Sequence, residues 1–448
     1  MTARPDGTTG EAAAAALPGQ ADLVIVGGGM VGVTLGLLLA QRLPALRVVL
    51  LEATRFPALD PARPLPYTPG FDARNTALSR RTIQAFTDLG LWPQLQPHAT
   101  PIHHIHVSDR GHFGLARLNA AEENVESFGQ VMENAWLGVV LLAALKRCPS
   151  VTVLDGVRVT GLRTAADHAE VSLVAGAPGD RSGQAGGEDA AGRAPEAHVL
   201  RAPLVVAADG THSRSRDWLG LSASWRDYGQ TALVTTVATS LPHAHTAYER
   251  FTGDGPIALL PLPDEPGAGQ PPQTRRSLVW ALATAEAERV QALPDADFAA
   301  ELQRAFGRRA GRFTRVGRRH AYPLQLMVAP QQAVPRALIL GNAAHSLHPV
   351  AGQGFNLCLR DALVLVEHLA AAVRDGADLG DAARLRAYEA ARQQDQAQII
   401  RFSDSLVRGF SSNHPALSLL RNIGLAGFDL MPGAKPALAR YAMGLSHV

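Results

Sequence analysis

The run Leu23-Val24-Ile25-Val26-Gly27-Gly28-Gly29-Met30-Val31-Gly32 decides the fold. Four apolar residues in a row suit a short strand buried on both faces. Residues 31–43 then carry helical character, and residues 48–51 form a second apolar strand that ends at Glu52. Strand, helix and strand in this order make a βαβ unit, which implies parallel strands and a right-handed crossover. Gly27, Gly29 and Gly32 give a G-x-G-x-x-G turn between the first strand and the helix. The first glycine permits the tight turn, the second lets a pyrophosphate reach the backbone, and the third lets helix and strand pack closely. The start of the helix offers unpaired N–H groups and a positive dipole end to the phosphates. Glu52 stands 20 residues beyond Gly32, where a carboxylate accepts ribose hydroxyls. An acid there favours an unphosphorylated ribose, hence FAD or NAD over NADP.

Working outward, a chain of 448 residues suits two or three domains. Its hydrophobic fraction of 46% and charged fraction of 18% exclude wholesale disorder. The net charge of +2 gives no field that calls for nucleic acid, and Lys146 and Lys435 are the only lysines. The basic residues are therefore arginines, with no cluster on a recognisable recognition helix. Cys148 and Cys358 lie far apart and outside any C-x-x-C pattern, which fits a reducing compartment. Residues 23–41 lack charge over a length that approaches a membrane span, but glycines interrupt them and no positive secretory flank precedes them. We expect a cytoplasmic protein, soluble or peripheral to the inner membrane.

Residues 1–20 read as a flexible tail. Further strands are expected at 151–154, 158–162, 171–174, 204–207 and 337–340, with helices at 136–146 and 296–306. The Gly/Ala/Asp-rich stretch 175–198 reads as an extended hairpin tip. Residues 231–283 read mostly as antiparallel strands, with a Pro/Gly-rich loop near 267–272. A strand ends near residue 326, and the chain after residue 340 is largely helical. No internal repeat is visible. Strands of one sheet are thus scattered along the chain, with a second sheet inserted between them.

Two more motifs carry chemistry. Val205-Val206-Ala207-Ala208-Asp209-Gly210, followed by Ser213 and Arg216, puts a carboxylate and a bendable backbone at the carboxyl edge of a sheet, where α/β ligands bind. The longest is Gly341-Asn342-Ala343-Ala344-His345-Ser346-Leu347-His348-Pro349-Val350-Ala351-Gly352-Gln353-Gly354-Phe355-Asn356. It runs from a buried strand through a Pro/Gly loop into a helix starting near Gly354. Gly352 and Gly354 keep side chains away from whatever approaches, and the helix start stabilises negative charge.

These three motifs, in this order, resemble the class A FAD-dependent aromatic hydroxylases. The string His348–Asp361 is similar to the signature of the ubiquinone-biosynthesis branch, and the 104–112 segment with the Gly341–His345 form points to its 2-polyprenyl-6-methoxyphenol hydroxylases. The resemblance spans about residues 22–361. It implies an α/β architecture: a Rossmann-like FAD-binding domain, an inserted antiparallel-sheet substrate domain of the p-hydroxybenzoate hydroxylase type, and a helical C-terminus. The boundaries implied are 21–95, 125–220 and 318–375 for the FAD domain, 96–124 and 221–317 for the substrate domain, and 376–448 for the helical region. The cofactor implied is FAD, held non-covalently, with NAD(P)H or another donor binding transiently, since only one G-x-G-x-x-G occurs. The chemistry implied is oxygen transfer from dioxygen through a flavin hydroperoxide to a polyprenylated phenol. Such a substrate implies peripheral membrane contact, or association with other quinone-biosynthesis proteins.

The cofactor residues so implied are Gly27, Gly29, Gly32, Glu52, Asp209, Gly210, Asn342, Pro349, Gly352, Gly354 and Asn356. Arg74, in Asp72-Ala73-Arg74, and Gln130, in Gly129-Gln130-Val131, join them from segments that resemble the family's flavin-edge elements. No general acid or base is handed over. Asn342 stands where most of the class has aspartate, and Cys358 where the branch has glycine. His103, His104, His106 and His112 lack the carboxylate or cysteine spacing of a metal site, and none is expected. A sister ring hydroxylase, another aromatic hydroxylase and a non-catalytic flavin-binding assembly subunit are the alternatives.

Overall fold

The structure, a computed structural model, describes residues 17–59, 65, 67, 74–110, 115–175, 197–265, 274–347 and 353–410. Its first sheet has six strands in the order Ala333–Val334, Ala337–Ile339, Leu204–Ala207, Leu23–Val26, Val48–Glu52 and Val151–Asp155. Five pair in parallel, and the two-residue Ala333–Val334 edge is antiparallel. The core strands are apolar throughout because both faces are covered. Leu23, Ile25, Val48, Leu50, Leu204 and Val206 face the helices Met30–Arg42, Asn134–Leu145 and Gln353–Arg374. Val24, Val26, Val49, Leu51 and Val205 face the other way, onto an antiparallel three-stranded layer of Val157–Thr164, Ala169–Ala175 and Ala197–Ala202. Period-2 alternation therefore builds two cores from one set of strands.

The strands expected from the sequence fall within two residues of their expected bounds, whereas Ala197–Ala202 and Ala333–Val334 are not among them. One further detail differs. Residues 17–20, read as tail, are tied down: Gln20 bridges Arg201, whose N–H donates to the Gly19 carbonyl. Within residues 231–283 the strands pair antiparallel as expected, and Thr246–Phe251 adds a parallel pairing to His104–Asp109 outside that range. The expected hairpin tip and the 267–272 loop fall almost wholly outside the described residues, as do Asp72, Ala73 and His112.

The second sheet has nine strands. Their order is His345–Ser346, His320–Val328, Ser224–Thr239, Thr274–Ala283, Pro256–Pro261, Thr246–Phe251, His104–Asp109 and Leu115–Asn119, with Phe313–Val316 also on Ser224–Thr239. One face, carrying Leu233, Val237, Leu259, Leu278 and Trp280, packs against the helices Thr284–Gln291 and Asp295–Phe306. The opposite face meets a small sheet in which Gln130–Glu133 pairs with Asn75–Leu78 and Thr100–Pro101. There Ala77 and Val131 pack with Ile105, Ala247, Leu260 and Leu262. A buried ion pair between Glu133 and Arg275 crosses the same seam. Removing one partner would leave an uncompensated charge, which typically costs about 3–5 kcal/mol.

Several histidines are buried neutral. Burial, with Arg309 and Arg117 beside it, pushes His106 down to about 4, and burial pushes His243 down to about 4 against the opposing pull of Asp264. Burial also lowers His98, His103 and His368. A histidine whose folded value is depressed contributes full stability above its unfolded value of about 6.5 and loses it as the pH falls. Glu249, pushed up to about 7 by burial, acts in the opposite direction between about pH 7 and about pH 4.5 but is a single group. The melting temperature is therefore expected to fall as the pH drops from about 6.5 to about 4.5. In the His106→Gln/His243→Gln double variant that slope should flatten, as differential scanning calorimetry at matched ionic strength would show. An unchanged slope would contradict the burial of neutral histidines.

Candidate cofactor and substrate site

Four neighbouring parallel strands, Ala337–Ile339, Leu204–Ala207, Leu23–Val26 and Val48–Glu52, end on one side of the sheet, and three sequence motifs follow directly from them. The turn after the first strand is closed by Gly27 N–H donating to the Leu51 carbonyl at 2.8 Å. Gly27 has φ +108°, and a Cβ on it would lie 2.5 Å from the Ala208 carbonyl oxygen. A Cβ on Gly32 would lie 1.9 Å from the Gly27 oxygen. Both glycines are demanded by the chain itself.

Gly29 and Gly354 are not. Each has no atom within 4 Å of where a Cβ would sit, and neither has a positive φ. Each opens a helix, Gly29 as the N-cap of Met30–Arg42 and Gly354 in the first turn of Gln353–Arg374. Gly29 caps without a side-chain hydrogen bond, so the first N–H groups of its helix are left to a ligand. Two glycines that the packing does not require, both bordering open space at helix N-termini, fit an anionic cofactor that must approach the backbone. FAD fits this donor set.

Glu52 reaches back across the turn. Its Oε2 accepts from Gly28 N–H at 2.7 Å and its Oε1 from Thr54 N–H at 2.8 Å. Each oxygen keeps a further lone pair for a ribose hydroxyl. Asp209 accepts from Ser213 Oγ at 2.5 Å and from Ser215 N–H at 3.1 Å, which fixes the loop containing Gly210. Buried Arg216 then ties the second motif to the third, donating to the Thr211 and Ala343 carbonyls at 3.1 Å each. Leu340 N–H donates to the Ala207 carbonyl, and Gly341 packs beside Val31 of the first helix.

Asn342 is exposed, and its Oδ1 accepts from the Cys358 thiol at 3.7 Å. The cysteine that departs from the branch pattern thus touches the asparagine that departs from the class. With its oxygen engaged, the Asn342 amide has its N–H groups to offer. The Cys358 thiol is pushed well up by burial and by Asp361 nearby, so it stays protonated as a donor.

Asn356, expected among the cofactor residues, is engaged by the protein itself. Its side chain is buried; its Oδ1 accepts from Ser79 N–H at 2.9 Å and Thr82 Oγ1 at 2.7 Å, and its Nδ2 donates to the Ala77 carbonyl at 2.9 Å. It braces the turn at Gly354 against the Asn75–Leu78 strand. Arg74, immediately before that strand, is exposed and stands over the Tyr322 ring at 5.5 Å. Gln130 pairs with Leu78 and Pro101 at the seam and is half-buried. Pro349 and Gly352 lie outside the described residues.

Sequence reasoning missed the network beneath the third motif. Buried His345 pairs through Nε2 with Asp361 at 2.6 Å, and Asp361 also accepts from Arg392 Nε at 2.6 Å and Gln396 at 3.1 Å. Burial alone would raise the Asp361 carboxyl, but His345 and Arg392 hold it below its ordinary value. Asp395 joins Arg392 to Arg360, which it meets at 2.9 and 3.2 Å. The partners lie on two helices, up to 51 residues from His345 in sequence, and no local spacing announces them.

The inner face of the second sheet supplies a floor beside the seam. Register places Val107, Glu249, Ala258, Val279, Val234 and His320 in one row across six strands, all half-buried. Apart from Glu249 and the terminal His320, the row is apolar. Among the described residues no cluster of His, Cys, Asp and Glu is arranged to hold a metal ion.

The profile of the FAD binding domain family matches residues 20–403, and the chain belongs to that family. It is 36% identical over 424 residues to the ubiquinone hydroxylase UbiL of Rhodospirillum rubrum, covering 95% of this chain and 90% of that one. It is 30% identical over 428 residues to the 3-demethoxyubiquinol 3-hydroxylase of Escherichia coli, covering 95% and 98%. Among solved structures, the p-nitrophenol 4-monooxygenase PnpA of Pseudomonas putida superposes with a TM-score of 0.72 at 19% identity, covering 96% of this chain and 99% of that one. That likeness shows the fold: an FAD domain with an inserted sheet of the p-hydroxybenzoate hydroxylase type.

Gly29→Ala is expected to reduce FAD affinity at least tenfold while leaving the apoprotein folded. The new methyl meets no protein atom, and alanine at an N-cap costs about 1 kcal/mol or less. Paired flavin titration and apoprotein melting check this, and unaltered flavin affinity would remove the turn from the site. Glu52→Ala should weaken FAD binding by roughly 10- to 100-fold, the loss of about 1.5–3 kcal/mol expected for hydrogen bonds to a charged group. Fluorescence quenching of added FAD reads it directly, and an unchanged dissociation constant would contradict the ribose assignment.

Proposed function

We propose that this chain is an FAD-dependent monooxygenase that hydroxylates the aromatic ring of a polyprenylated phenol in ubiquinone biosynthesis, with 2-polyprenyl-6-methoxyphenol as substrate. The observation that carries the reading is the pair of open glycines, Gly29 and Gly354, each at the start of a helix. The names of the two curated relatives support the pathway, and the 104–112 segment with the Gly341–His345 form supports the ring.

FAD, when bound and reduced by NAD(P)H or another donor, supplies the activation of dioxygen. The chain's own residues do the rest. The Gly27–Gly32 turn, Glu52 and the Asp209–Gly210 loop bind the dinucleotide. The Gly354 turn, braced by Asn356, would hold the flavin, with Arg74 and Gln130 at its edge. The Val107–Val234 row gives the phenol and the start of its tail an apolar floor that excludes water. Apolar burial of the tail adds affinity but cannot choose between ring carbons, so that choice rests on polar contacts near the flavin. Among the described residues no helix is long and apolar enough to cross a membrane, and the substrate's tail brings the enzyme to a lipid surface.

Cells deleted for this chain should accumulate 2-polyprenyl-6-methoxyphenol, measured by mass spectrometry of lipid extracts. Accumulation of a later intermediate that lacks a different ring oxygen would move the enzyme to the sister position. Normal quinone levels would contradict the pathway assignment.

A further inference from the structure

Glu249 is the one carboxylate in the apolar row on the inner face of the second sheet. On its strand, Ala247 lies two residues away on the same face and is packed into the seam with Ala77 and Leu260. The Ala77 carbonyl is the group that Asn356 grips as it braces the Gly354 turn. Two strand residues span about 7 Å, so Glu249 sits one side-chain layer from the seam that backs the flavin edge. Its register partners are Val107 on one side and Ala258 on the other, and beyond them on the same face are Ala116 and Val279.

No hydrogen bond or ion pair engages the Glu249 carboxylate among the described residues. It keeps accessible surface yet is enclosed so densely that burial alone pushes its carboxyl up to about 7. The charged groups nearby are otherwise committed or turned away. Asp109 lies two residues further on the same face of its strand from Val107, and Arg275 is paired with Glu133 across the seam. Arg250, His106, Arg117 and Arg309 belong to the opposite face, where His106 contacts Arg309 and Tyr248. His320, at the far end of the row, is four strands away from Glu249. A carboxylate with no partner in an apolar, partly open layer is expensive unless something arrives to use it.

We propose that Glu249 accepts the proton of the substrate's phenol hydroxyl during ring hydroxylation. This rests on the phenol-hydroxylase reading above. As the ring carbon forms its bond to the incoming oxygen atom, the phenol O–H bond breaks. Its proton passes to the Glu249 carboxylate, and its electron pair moves toward the ring, which strengthens the ring as a nucleophile. The other atom of dioxygen leaves as water on the two electrons supplied by the nicotinamide donor. The hydroxylated ring carbon then loses its own proton to the departing oxygen, which completes the water and restores the aromatic ring, and the carboxyl returns its proton to the phenol oxygen. A group that titrates near neutrality is matched to this exchange.

The test uses wild-type, Glu249→Gln and Glu249→Asp holoenzymes with 2-geranyl-6-methoxyphenol as probe. Binding is read without reductant, from perturbation of the flavin absorbance between about pH 5.5 and about pH 9, and turnover is read from the hydroxylated product. Wild-type affinity should rise as the pH passes about 7, the Glu249→Gln profile should be flat, and Glu249→Asp should regain a break. With Gln, kcat should fall by roughly 100-fold while KM moves far less. Flavin content and melting temperature should match wild type, because the amide is isosteric. A Gln variant with the wild-type binding profile and a kcat within about twofold of wild type would overturn the assignment of Glu249 alone. A wild-type holoenzyme that neither binds nor hydroxylates the phenol would overturn the substrate reading, and this inference with it.

Discussion

The close approach of Gly32 to the Gly27 carbonyl is the constraint on which the rest of the site depends. A Cβ at Gly32 would lie 1.9 Å from that oxygen, so no other residue lets the helix begin so near the end of its strand. Because the helix begins there, its first N–H groups stand at the carboxyl edge of the sheet. The Asp209–Gly210 loop and the Gly341–Asn342 turn arrive at the same edge from the neighbouring strands. Displacing the helix start would separate Glu52 from Gly28 and withdraw Val31 from Gly341. One backbone contact therefore sets the relative positions of three motifs far apart in sequence.

Two buried polar assemblies hold what the turn has arranged. Glu133 and Arg275 fasten the second sheet to the Gln130–Glu133 strand, across the seam that carries Ala77 and Ala247. His345, Asp361, Arg392, Asp395 and Arg360 fasten the third motif to the two long C-terminal helices. Buried ion pairs contribute little net stability compared with apolar packing, but they are unforgiving of displacement. Their placement, one beneath the Gly341–Asn356 motif and one beside the inner face of the second sheet, suits surfaces that must keep a fixed distance. Function here depends on that distance, since an oxygen atom is delivered to one ring carbon and not its neighbour.

Much of this was legible in the chain. Leu23–Val26 and Leu204–Ala207 are strands within the limits their apolar runs imply, and Glu52 meets the glycine turn at the spacing that marked it. The asparagine and cysteine that depart from the family pattern, Asn342 and Cys358, were visible as departures, though only the structure joins them. What the chain hid was long-range pairing. The motif that contains Asn356 was visible, but not the partners of its side chain, Ala77, Ser79 and Thr82, which lie 274 to 279 residues away in sequence. Glu249 sits among alternating residues of an ordinary strand, and its isolation becomes visible only when five neighbouring strands are laid beside it.

Insertion of one atom of dioxygen into a phenol ring is checked by turning over purified holoenzyme with a nicotinamide donor and the prenylated methoxyphenol under isotopically heavy dioxygen, then weighing the product. One heavy oxygen atom is expected on the ring of each product molecule, with the second atom recovered in water. A product whose new oxygen comes from solvent water, or reductant consumption that yields only peroxide at every substrate concentration, would contradict it.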